Sequence, residues 1–107
     1  MNKILYEERK IIYDRALEQY GPEAQMIVAL EELSECQKEI CKVLRCKGDM
    51  EHLAEEIADA TIMLEQMRQL FGLNELVCGK MDEKILRLEQ RLENGPQCGR
   101  KDNDGER

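Results

Sequence analysis

Tryptophan is absent, phenylalanine occurs once and proline twice in these 107 residues. So few aromatics argue against a strand-rich fold, whose pleated faces favour aromatic and β-branched side chains. There is a single histidine, His52. A carboxylate-bridged di-iron centre wants Glu-x-x-His twice, and no Glu stands three residues before His52. Neither a Ser/His/Asp arrangement nor a glycine-rich phosphate loop is present. No CxxC occurs, and Cys36, Cys41 and Cys46 lie five apart, so on a helix they project in three directions. That spacing argues against zinc or a disulfide framework, and for reduced thiols in a cytoplasmic protein. The N-terminal MNKILYEERK lacks the apolar run of a signal peptide. No stretch approaches the ~18 apolar residues of a membrane span. An excess of positive charge is also missing, because the formal net charge is −7. A DNA or RNA duplex or an anionic membrane is therefore not an expected partner.

What the chain has is 36% charged and 42% hydrophobic residues in helical spacing. A first helix is expected over Asn2–Tyr20, closed by Gly21-Pro22. A second follows over Pro22–Lys47 and stops at Gly48, with Asp49 as N-cap of the third. The third ends near Phe71-Gly72. Asn74 caps a fourth that runs to about Leu92, striped by Leu76, Val77, Met81, Ile85, Leu88 and Leu92. Short connections favour antiparallel neighbours. The expected fold is all-α: a small four-helix up-down bundle over residues 1–93, with a polar tail over 94–107 expected to be disordered. Its Met-rich stripe gains from burial between copies, so a homo-oligomer is expected.

Two helices carry acids where apolar residues belong. At about 100° per residue, with Asp59 at zero, Met63, Met67, Ala60, Leu53, Phe71, Leu64 and Ile57 fill an arc from roughly 40° to 160°. Glu56 falls inside it at about 60°, and Asp59 sits at its edge. On the preceding helix Glu32 lies within the arc of Val28, Val43, Cys36, Ala29, Ile40, Leu33 and Leu44, with Glu39 about 20° to one side and Glu35 about 60° away. Burying an unpaired carboxylate costs several kcal/mol or forces protonation, on the order of other buried charges. If antiparallel packing joins the pairs, Glu32, Glu35, Glu56 and Asp59 converge, and bare they repel. A hard divalent cation relieves that repulsion and leaves positions for phosphate oxygens.

Glu31-Glu32-x-x-Glu35, twenty intervening residues, then Glu56-x-x-Asp59 resembles the EExxE…ExxD signature of MazG-like proteins. These belong to the all-α nucleoside triphosphate pyrophosphohydrolase superfamily, with dimeric dUTPases, dCTP pyrophosphatases and phosphoribosyl-ATP pyrophosphohydrolases. The stretch LRCKGDMEHLAEEIADATIMLEQM also looks like short MazG-like proteins, and the likeness covers about Ala29 to Arg91. The resemblance implies Mg²⁺-dependent hydrolysis of an NTP or dNTP to the monophosphate and pyrophosphate, with Mn²⁺ as a possible substitute. It implies Glu32, Glu35, Glu56 and Asp59 as metal ligands, and a homodimer or homotetramer. A carboxylate not saturated by metal can accept the water's proton, and Glu32 or Glu35 is the candidate. Glu31 is turned about 100° from Glu32 and is not in the set.

The family also places basic residues on the last helix near the phosphates. In GKMDEKILRLEQR, Lys84 and Arg87 are the first candidates for phosphate binding and Lys80 the next. Gly79, just before this run, departs from the typical pattern. Tyr6, Tyr13 and Tyr20 recur every seven residues, a spacing that suits packing, so no base-binding residue is assigned. Two other functions fit the same sequence. One is a non-catalytic helical interaction or regulatory module with an acidic face. The other is a relative that keeps the fold and metal but has lost turnover.

Overall fold

A computed structural model describes residues 5–95. These form four α-helices and no strand: α1 (Tyr6–Tyr20), α2 (Pro22–Leu44), α3 (Met50–Leu70) and α4 (Asn74–Glu93). The chain divides into two compact units, the first ending at Asn74 and the second beginning at Glu75. No described helix is long and apolar enough to cross a membrane. The expected all-helical chain of four helices is what is found. The tail from residue 96 onward lies outside the described residues.

Helix ends follow local chemistry. α1 begins at Tyr6, after an extended Leu5 whose amide donates to the Glu8 carboxylate at 3.2 Å, and the expected start at Asn2 lies outside the described residues. Gly21, at φ 89°, separates α1 from α2, and its amide donates to the Leu17 carbonyl at 2.8 Å. Asp49 caps α3 as expected, accepting from the Glu51 amide at 3.1 Å. The end of α2 differs from expectation. It stops at Leu44, not Lys47, because Cys46 adopts the left-handed conformation at φ 61°. The Cys46 amide then donates to the Val43 carbonyl, and the Lys47 amide to the Lys42 carbonyl at 2.8 Å. That is a Schellman closure, built on a cysteine where glycine is usual. Gly72 makes the same closure after α3, with φ 65° and the Leu73 amide donating to the Arg68 carbonyl at 2.7 Å. Gly48 serves another purpose. A Cβ there would meet Val43 Cγ2 at 2.5 Å, so glycine lets the loop cross close over α2.

Within the first unit α2 and α3 run antiparallel and form the main contact, and α1 lies against both. The apolar core is small: Ala29 from α2 and Ala60 and Met63 from α3. The buried arc of α2 is accordingly narrower than its apolar stripe. Gln25, Ala29 and Glu39 are buried, whereas Leu33, Ile40 and Leu44 at the far edge are exposed. α3 repeats the pattern, with Ala60 and Met63 buried and Ile57, Leu64 and Phe71 exposed.

Candidate metal centre

The antiparallel crossing of α2 and α3 decides which acids meet. One carboxylate oxygen from each of Glu32, Glu56 and Asp59 lies within 4.8 Å of the other two. Glu56 lies on the same face of α3 as Ala60 and Met63, the buried residues of that helix, and its side chain is only 16% exposed. Its Oε1 is buried and has no hydrogen-bond partner. An unmatched acceptor on an anionic group costs about 1–3 kcal/mol or more. Glu32 is half-buried opposite it. Burial pushes the Glu32 carboxyl above its ordinary range, and the charges of Asp59, Glu56, Glu35 and Glu31 push it further in the same direction.

Glu35, the fourth acid expected here, is exposed, and its carboxylate lies 3.6 Å from Lys38 Nζ. It is outside the converging three, though near enough for its charge to act on Glu32. Lys80, Lys84 and Arg87 stand on α4, in the second unit. Lys80 faces Glu83 one turn on, at 3.9 Å. No distance within the first unit therefore involves these three residues.

The acid whose angle falls just beside the stripe of α2 is buried as well. Glu39, one turn beyond Glu35, is only 4% exposed, accepts from Lys42 Nζ at 3.1 Å, and lies 3.7 Å from His52 Nδ1. The other nitrogen of His52 is 4.0 Å from Glu56 Oε2. The signal was present: Glu39 sits about 20° from Glu32 on the wheel, with Lys42 three residues on to neutralise it.

Hard oxygen donors on two helices, with one buried oxygen left unanswered, fit a hard divalent cation such as Mg²⁺ or Mn²⁺. They do not fit a soft metal, because no thiol or imidazole belongs to the converging set. Comparison with known proteins gives no match: no family model, no curated sequence and no solved structure matches this chain.

Elsewhere in the first unit, α1 is tied to α3 by a matched carboxylate. Glu65 accepts from Arg9 Nη1 at 3.0 Å and from the Tyr13 hydroxyl. Gln69 donates to the Lys10 carbonyl at 3.0 Å and to Asp14 at 2.6 Å. Burial, and then the hydrogen bond to Glu65, push the Tyr13 pKa from 10.0 up to about 12. Tyr13 is thus a packing residue, whereas Tyr6 and Tyr20 are exposed.

Proposed function

We propose that this chain is a Mg²⁺-dependent nucleoside triphosphate pyrophosphohydrolase of the MazG-like kind, acting as a homo-oligomer. The observation that carries the reading is the buried, unpartnered Oε1 of Glu56 beside Glu32 and Asp59. A docking surface needs charge facing outward, and an acid with a buried, unpartnered oxygen does not serve one. Glu32, Glu56 and Asp59 hold the cation. When bound, Mg²⁺ supplies charge neutralisation at the phosphates and acidifies a water. Glu35, one turn from Glu32 and outside the converging three, accepts the proton of the water that attacks the α-β phosphoanhydride. Phosphate binding by Lys80, Lys84 and Arg87 rests on the family resemblance alone. The apolar edge of α2, with Leu30, Leu33, Ile40 and Leu44 all exposed, supports self-association of the first unit.

The test is a panel of nucleoside triphosphates, each with and without Mg²⁺, read as pyrophosphate released. Release from at least one substrate, dependent on Mg²⁺ and lost in Glu56→Gln, is the expected result. Folded protein that releases none from any member overturns the reading in favour of a non-catalytic module.

A further inference from the structure

α4 has no buried residue, and Met81, Ile85, Leu88 and Leu92 are 50%, 60%, 47% and 71% exposed. Most helical stability in proteins comes from packing of an apolar face, so an exposed apolar stripe on α4 calls for a partner. The spacing 81, 85, 88, 92 alternates four and three, the a/d repeat of a coiled coil with Ile85 and Leu92 at a and Met81 and Leu88 at d. Cys78 takes the preceding a position. The arc is narrow, about 80°, as a coiled-coil seam requires. Leu76 and Leu86 lie off it.

The flanks of that seam have opposite charge. Asp82 and Glu89 occupy the e positions, and Lys84 and Arg91 the g positions. In a parallel pair each g residue faces the e residue five places on in the other helix, so Lys84 of each copy meets Glu89 of the other. Antiparallel pairing instead sets g against g and e against e, with Lys84 beside Arg91 and Asp82 beside Glu89. Ile at a with Leu at d further favours two parallel strands. We infer that α4 is a self-recognition element that pairs with α4 of a second copy of this chain, parallel and in register. This inference does not rest on the hydrolase reading.

Cross-linking of the full chain tests it. In a background with the native cysteines replaced by alanine, Met81→Cys and Leu92→Cys are made singly and oxidised alone and mixed. Residues 81 and 92 lie about 16 Å apart along one helix. In register, each variant links to itself and the mixture yields no 81–92 product. An 81–92 link is the signature of antiparallel pairing and overturns the proposal. Absence of any link, as when the seam is covered within one chain, overturns it too. Lys84→Glu should weaken dimerisation by sedimentation about 5- to 10-fold, from two pairs reversed in sign. Adding Glu89→Lys should restore it, and a double variant no better than the single one also defeats the assignment.

Discussion

Glu56 and Glu65 are carboxylates on α3, nine residues apart, and each faces another helix of the first unit. They are answered in opposite ways. Glu65 faces α1 and receives a guanidinium and a phenol, so its charge and lone pairs are matched. Glu56 faces α2 and meets two more acids, with one oxygen buried and unmatched. A matched carboxylate between helices is a fastening. An unmatched one carries a folding cost, and that asymmetry is the ground on which the cation site is proposed.

The largest effect expected from this contrast is on turnover. Glu56→Gln removes a charge from the proposed cation site and should lower pyrophosphate release at least 100-fold, as lost metal stabilisation does. Glu65→Gln should leave most of it, measured under the same saturating Mg²⁺. Equal loss in both would erase the distinction. Stability should respond in the reverse sense. Glu65→Ala strips Arg9 and Tyr13 of their shared acceptor and should cost about 1–3 kcal/mol by denaturant unfolding. Glu32→Gln relieves repulsion and should raise the melting temperature of metal-free protein at neutral pH.

The two sites should also titrate at opposite ends of the pH scale. The Glu32 pKa is raised in the fold above its ordinary 4.5. Its contribution to stability is full below 4.5 and is lost as pH rises through the folded-state value, so metal-free protein weakens on leaving acid. Tyr13 is raised from 10.0 to about 12. Its contribution is full below 10.0 and is lost between there and about 12, detaching α1. Phenolate absorbance followed through that range should show the Tyr13 step at about 12. The smallest effect belongs to neither site. Cys46→Gly, at φ 61°, should stabilise by about 0.5–1 kcal/mol by removing left-handed strain without altering turnover.

Helix content was legible because Gly21-Pro22, Asp49, Gly72 and Asn74 punctuate apolar spacing with little ambiguity. The end of α2 was not: Gly48 reads as a terminator, but Cys46 terminates and Gly48 admits Val43. An αL cysteine has no sequence signature. The inward aim of Glu56 was visible on the wheel, as was its meeting with Glu32 and Asp59 once antiparallel packing was assumed. Glu35 was less legible, because about 60° of rotation is enough to carry an acid out to Lys38. The burial of Glu39 went unread although its angle was known, since an apolar stripe says where a helix is greasy and not which edge of the grease is covered. Leu33, Ile40 and Leu44 make the point: all three belong to the stripe, and all three are exposed.

The central claim is that Glu32, Glu56 and Asp59 bind a divalent cation. Mn²⁺ titration of the full chain followed by electron paramagnetic resonance measures it without any substrate. The account predicts saturable binding that Mg²⁺ displaces, weakened at least tenfold by Glu56→Gln and unaffected by Glu65→Gln. Free-ion signal rising from the first addition, alike in all three proteins, would contradict it.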